Sequence, residues 1–208
     1  MKVLLVNGGP HREGCTFTAL SEVAATLNAE GVETEIIWLG NQPVAGCIAC
    51  GSCAATGRCF RSDCVNEFIE KAAAADGFVF GSPVHYAGPT GAVTSFMDRA
   101  FYAGNNARVF ANKPAAAVVS CRRAGNTATF DQLNKYFTIS CMPVVSSQYW
   151  NMIHGNTPEQ ARQALEGLQT MRTLGRNMAW MLRCIEAGRR AGIEPPVREE
   201  PVRTNFIR

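Results

Sequence analysis

Short apolar runs alternate along the first three quarters of the chain with stretches of helical periodicity, and each run stops at a polar or turn-rich segment. Val3 to Val6 ends in Asn7-Gly8-Gly9-Pro10, and Phe78-Val79-Phe80 leads into Gly81-Ser82-Pro83. Glu35 to Leu39, Pro114 to Val119 and Pro143 to Ser147 are three further runs of this kind. Apolar residues at Phe17, Leu20, Val23, Ala24 and Leu27 predict a helix over 16–30, with Gly31 as its C-terminal signal. Helices are also predicted over 65–75, 90–102 and 129–139. Five strands alternating with helices specify an α/β domain, a doubly wound parallel sheet with helices on both faces. Thr157-Pro158-Glu159 reads as a cap, a first-turn proline and an acidic first turn, and opens a long helix predicted to run to Ala187. The expected organisation is a domain over 1–187 and a C-terminal arm over 188–208 that packs on the surface or on another subunit.

Composition narrows the function. Of 208 residues 47% are hydrophobic and 18% charged, which fits one globular core and argues against a mainly disordered chain. No apolar stretch is long enough to span a bilayer. The net charge of +3 is too small to mark a nucleic-acid footprint, although 16 of the 20 basic residues are Arg, which suits small anionic ligands. The N-terminus lacks the features of a secretory signal, and five of the nine Cys crowd into 47–64, unlike a secreted disulfide framework. A cytoplasmic protein with thiol or metal chemistry is expected, with no membrane and no nucleic-acid partner.

Ligands of open parallel sheets bind beyond the carboxyl ends of the strands, which directs attention to three loops. In the first, residues 7–18, Gly8, Gly9 and Pro10 let the backbone approach a phosphate. Thr16 and Thr18 offer hydroxyls, His11 and Arg12 positive charge, and the next helix its free N–H groups. The alternative is a glycine-rich turn capped by Thr16. The second loop, residues 81–91, offers Ser82, Pro83, Val84, His85, Tyr86 and Ala87, a shaped backbone with aromatic faces suited to a flat heterocycle. A hydrogen-bonded structural role is the plainer account of His85. In the third, Ser120, Arg122, Arg123 and Gly125 can face a ring edge that becomes negative on reduction, or form a solvated basic loop. Aromatics at 149–150 wall a cofactor or fill a subunit contact. The loop over 40–64 is too long for an ordinary connection.

The first loop resembles that of the flavodoxin-like NAD(P)H-dependent FMN reductase family, roughly Gly-Ser-Pro-x-x-x-Gly-x-Thr. Gly8, Pro10, Gly14 and Thr16 match it. Gly9 replaces the usual Ser, His11 stands where Arg or another polar residue is common, and Cys15 where Asn or Ser is common. Gly81-Ser82-Pro83-Val84-x-Tyr86, followed by Phe96-Met97-Asp98-Arg99, is similar to the family's isoalloxazine-binding segment. The resemblance covers about 1–153. It implies strand order 2-1-3-4-5, non-covalent FMN, NAD(P)H as electron donor, and a homodimer, or a homotetramer built from it, with the flavin near the subunit interface. It also implies contacts to FMN from the residues named in the three loops, Cys15 included.

Cys47, Cys50, Cys53 and Cys59 form C-x2-C-x2-C-x5-C, short enough for one loop to wrap four thiolates around an inorganic centre. The array resembles that of iron–sulfur flavoproteins, a branch of the same family, which implies a [4Fe–4S] cluster. Zinc, or a reduced thiol loop packed near the flavin, are the alternatives. Cys64 reads as spare, and Cys15, Cys121 and Cys184 as small fillers or incidental thiols. Three functions compete on these grounds. In the first, FMN takes hydride from NAD(P)H and reduces a quinone, a nitro or azo compound, free flavin or a protein, with no protein nucleophile required. The second is an electron carrier using FMN and a cluster, and the third a thiol redox or structural protein.

Overall fold

The computed structural model describes residues 1–197, 199, 200, 202 and 204. In chain order the elements are β1 (Lys2–Asn7), α1 (Cys15–Ala29), β2 (Glu33–Trp38), α2 (Cys53–Thr56), α3 (Cys64–Ala74), β3 (Gly77–His85) and β4 (Gly88–Pro89). They continue with α4 (Gly91–Asn106), β5 (Ala115–Cys121), α5 (Asn126–Ile139), β6 (Met152–His154), α6 (Pro158–Gln163) and α7 (Leu165–Arg190). The parallel strands lie in the order β2-β1-β3-β5-β6, and β4 pairs only with β3. Counting the five parallel strands along the chain, this is the 2-1-3-4-5 flavodoxin-like arrangement.

Strand alternation divides the core into two layers. Val3 and Leu5 of β1 face α1 and α7, where Leu20, Val23, Leu27, Met171, Leu174 and Met178 are buried. Leu4 and Val6 face α3, α4 and α5, against a cluster of phenylalanines. There Phe68 meets Phe96 edge-on at 5.1 Å, and Phe101 stacks on Phe110 at 4.6 Å. Such pairs add to the burial of their area. The helix starts are capped where the sequence offers caps: Asp63, Thr90 and Thr157 accept from the amides of Val65, Val93 and Gln160.

Three expectations need correction. Residues 143–147 do not form the fifth strand. Val144 makes only a bridge to Ala115, the chain then departs over 146–151, and Met152–His154 pairs with Val119–Cys121. The excursion is held by Ser147, whose Oγ contacts the Tyr149 carbonyl (2.6 Å) and Asn151 Oδ1 (2.7 Å), so side chains replace ladder bonds there. The long C-terminal helix is two helices. Ala164, with ψ at 74°, ends α6 and begins α7, which runs to Arg190 and so crosses the expected domain boundary. Alanine favours helix, so the break comes from packing, with Ala161 of α6 and Met171 of α7 both buried in the same layer.

Residues 81–91 are likewise not an open loop. β3 continues to His85 and turns back through β4 as a tight hairpin, Val84 pairing with Pro89 and His85 with Gly88. Pairing of β1 to β3 ends at Asn7 and Gly81, so Pro83 lies where β5 alone flanks the strand and the missing N–H is tolerated. The described residues of the arm beyond Arg190 are exposed, with the Ile193 amide donating to the Gly188 carbonyl (2.9 Å). Arg198, Pro201, Arg203 and residues 205–208 lie outside the described residues.

Candidate functional site

The first two loops are fastened together at the carboxyl end of the sheet. The Gly8 amide donates to the Gly81 carbonyl (2.9 Å), and Thr90 bridges both loops. Its Oγ1 donates to the Gly8 carbonyl (3.1 Å) and its amide to Ser82 Oγ (3.1 Å). A β-carbon on Gly8 would lie 1.8 Å from Val93 Cγ2, so only glycine lets the loop seat against α4. Asn7 shapes the turn from within, its Oδ1 accepting from the Gly9 amide and its Nδ2 donating to the Arg12 carbonyl, both at 3.0 Å. Trp38 Nε1 donates to the Gly9 carbonyl (2.8 Å) and ties the loop to β2.

The third loop joins through Thr16 Oγ1 and Ser120 Oγ, 2.8 Å apart and buried. The hairpin meets it as well: Gly125, at φ +85°, would set a β-carbon 2.7 Å from Ala87 Cα. Tyr86 and Ala87 form the hairpin tip at φ 48° and 61°, left-handed conformations unusual for these residue types. Tyr86 stands fully exposed. Gly14 caps α1 through its backbone only, so the first-turn N–H groups carry no side-chain cap. His11, Arg12, Arg122 and Arg123 are exposed around this rim, and none forms an ion pair among the described residues. A cleft of about 450 Å³ opens beside the two loops, lined by Gly8, Pro10, Gln42, Val44, His85 and Ser95 among others.

Not every expected donor is free. Thr18 Oγ1 donates back to the Gly14 carbonyl (3.3 Å), and the Cys15 thiol reaches the Gly155 carbonyl (3.5 Å). Burial pushes the Cys15 thiol above its ordinary pKa. Cys121 is buried beside His154, Sγ to Nδ1 3.4 Å, and Cys184 is exposed.

Next to the cleft, Cys47, Cys50, Cys53 and Cys59 all line one largely apolar cavity of about 120 Å³. All nine cysteines are free thiols, and Cys64 stands outside this lining. Among the described residues no group of His, Cys, Asp or Glu side chains is placed to hold a single metal ion. Four thiols disposed around a cavity suit a polynuclear centre better than tetrahedral zinc. The Arg61 Nε, at the same cavity, is buried without a hydrogen-bond partner, a donor awaiting an acceptor. The donor set therefore fits an iron–sulfur cluster.

The residues that hold this loop were not singled out for that role in the sequence. Arg99 is 2% exposed on the otherwise apolar buried face of α4. Its NH1 and NH2 donate to both oxygens of Asp63 (2.7 and 2.8 Å), NH1 also reaches the Ala45 carbonyl (3.2 Å), and Nε donates to Cys59 Sγ (3.3 Å). Burial disfavours both charges, but the paired hydrogen bonds outweigh it. The Asp63 carboxyl is held below its ordinary value and the Arg99 guanidinium stays charged. Asn66 of α3 adds a second clamp, accepting from the Cys59 amide (2.9 Å) and donating to the Cys59 (2.9 Å) and Arg61 (3.0 Å) carbonyls. The available signal was an arginine spaced three and four residues from Phe96 and Ala103, on a helix face that should be buried.

The sequence profile of NADPH-dependent FMN reductases matches residues 1–157. An iron–sulfur flavoprotein of Methanocaldococcus jannaschii is 33% identical over 195 residues, covering 89% of this chain and 100% of the relative. One from Methanosarcina thermophila is 26% identical, covering 91% and 99%. RosB, in a structure with the bound intermediate OHC-RP (8-demethyl-8-formylriboflavin-5'-phosphate), superposes with a TM-score of 0.69 at 16% identity, covering 100% of this chain and 94% of that one. That last likeness concerns the fold. With its glycine loop, hairpin and thiol-lined cavity, this chain belongs to the NADPH-dependent FMN reductase family, close to the iron–sulfur flavoproteins.

Proposed function

We propose that the chain is an FMN-dependent oxidoreductase whose cysteine loop carries a [4Fe–4S] cluster, so that electrons pass between the two groups and a small-molecule or protein acceptor. The observation that carries this reading is the lining of one cavity by the four thiols of Cys47, Cys50, Cys53 and Cys59, directly beside the cleft of the fastened loops. Bound FMN supplies hydride and single-electron chemistry, and a cluster supplies one-electron steps.

The chain's own residues position these groups. Gly8 to Thr18, with the uncapped start of α1, hold the phosphate through backbone N–H groups. Residues 83 to 87 shape the wall against the ring, with Ser120, Arg122, Arg123 and Gly125 at its edge, where positive charge favours the reduced, anionic form. Helix α4 serves both sites: Ser95 lines the cleft and Arg99 the thiol cavity, four residues and about 6 Å of rise apart. That proximity favours direct transfer between the groups. The family match supports NAD(P)H as hydride donor, and the cluster-independent reductase is the second reading that it favours.

Anaerobic purification followed by an ultraviolet-visible spectrum and iron and sulfide analysis tests the proposal. Flavin bands with added broad absorption and about four irons per chain are expected. Cys59→Ser is expected to keep the flavin and lose the iron. A reconstituted native protein that binds FMN and no iron overturns the cluster assignment. Anaerobic mixing with NADH or NADPH is expected to bleach the flavin, and failure with both removes the nicotinamide role.

A further inference from the structure

Two guanidinium groups border the thiol cavity, and they differ in electrostatic state. The charge of Arg99 is balanced locally, because Asp63 takes both ends of its fork. Arg58, nearby in sequence, is paired with Glu70. Arg61 lines the cavity and has no carboxylate partner among the described residues. Its guanidinium lies 5.0 Å from the centroid of the Phe60 ring, and its Nε is buried with no hydrogen-bond partner. The Asn66 bond to its carbonyl fixes the backbone from which it extends.

A buried donor without an acceptor is costly, and a bound group that accepts from it removes that cost. The ligand that the four cysteines imply has that property. Four thiolates outweigh the charge of an iron–sulfur core, so the assembly is anionic, and it gains one more negative charge when reduced. A cation beside it that forms no ion pair stabilises the reduced form more than the oxidised one.

We propose that Arg61 is the cluster's charge partner: its unpaired guanidinium donates to the thiolate or sulfide sulfurs and raises the reduction potential of the centre. Arg99 and Asn66 are positioning residues that hold Cys59 and Arg61 in register. The inference rests on the cluster reading above and adds to it a residue that binds no iron.

The test compares reconstituted native protein with Arg61→Gln and Arg61→Lys. The readouts are iron content, thermal midpoint and the cluster's reduction potential, taken by anaerobic titration with spectroscopic detection. With native iron content in all three, Arg61→Gln is expected to shift the oxidised-to-reduced ratio about tenfold toward oxidised at the native midpoint, or about 59 mV for one electron. Arg61→Lys keeps the charge and is expected to recover most of that shift. A fully loaded Arg61→Gln protein with the native potential overturns the proposal and leaves the cluster reading intact. A native protein that takes up no iron overturns both. A variant that loses stability and iron together, with Lys no better than Gln, assigns Arg61 a packing role and also overturns it.

Discussion

Asp63 has two functions in one side chain. It caps α3 through the Val65 amide, and it neutralises a guanidinium that is otherwise inside the protein. Asp63→Asn leaves Arg99 buried with a reduced partner. The expected loss is about 2–3 kcal/mol, below the range for fully buried pairs because the Asp63 side chain is 35% exposed. Denaturant unfolding measures it. The same pair sets an acid limit. The folded-state pKa of Asp63 lies below its ordinary 3.8, so its contribution is complete above about pH 4 and is lost as pH falls through the lower folded value. Stability profiles of the native protein and Asp63→Asn are therefore expected to converge at low pH and to separate above pH 4. A constant gap across that window would exclude the ion pair as the cause. The clustering of Cys47, Cys50, Cys53 and Cys59 was legible in the sequence, and the structure disposes all four around one cavity. The pairing of Arg99 with Asp63 was not, because a salt bridge across 36 residues has no local signature.

At the scale of elements, the β3–β4 hairpin is the part of the site most at odds with local preference. A two-residue tip with both φ values positive calls for Asn-Gly, and this chain has Tyr86-Ala87. Left-handed backbone costs about 1–2 kcal/mol for such residues, and the contact of Ala87 with Gly125 helps to hold it. Ala87→Gly is expected to stabilise the apoprotein by a net 0.5–1 kcal/mol or about 1–4 °C in thermal midpoint, since glycine's added chain entropy offsets part of the relief. Gly125→Ala is expected to do the reverse and to weaken FMN binding about tenfold by separating hairpin and third loop, as read by flavin fluorescence on titration. Unchanged affinity in Gly125→Ala would mean that these two loops do not jointly form the ring wall. Strain kept at a ligand site is a recognised pattern, and the tip's full exposure beside the cleft agrees with it. Sequence reading singled out this segment and missed its hairpin turn, because neither tip residue announces it.

The whole molecule has an apolar surface that its own fold does not cover. Tyr102 and Ile139 are 64% and 77% exposed at a groove of about 560 Å³ between α4 and α5, adjoining Cys53, and Tyr149 and Trp150 are exposed next to β6. We propose that these faces are buried in a homodimer or homotetramer. Sedimentation of the holoprotein at micromolar concentration is expected to give two or four chains, and a persistent monomer contradicts it. By itself the sequence determined the alternation of strands and helices of a layered α/β domain, the Thr157 cap and the two glycine-bearing segments, which follow from local periodicity and turn chemistry, while the strand order came from the family resemblance. Only the tertiary structure decided that Thr90 would tie Gly8 to Ser82, that residues 146–151 would leave the sheet edge, that Ala164 would split a helix, and that Arg99 would clamp the thiol loop. Those outcomes depend on which distant surfaces must be buried together, and no window along the chain contains both partners.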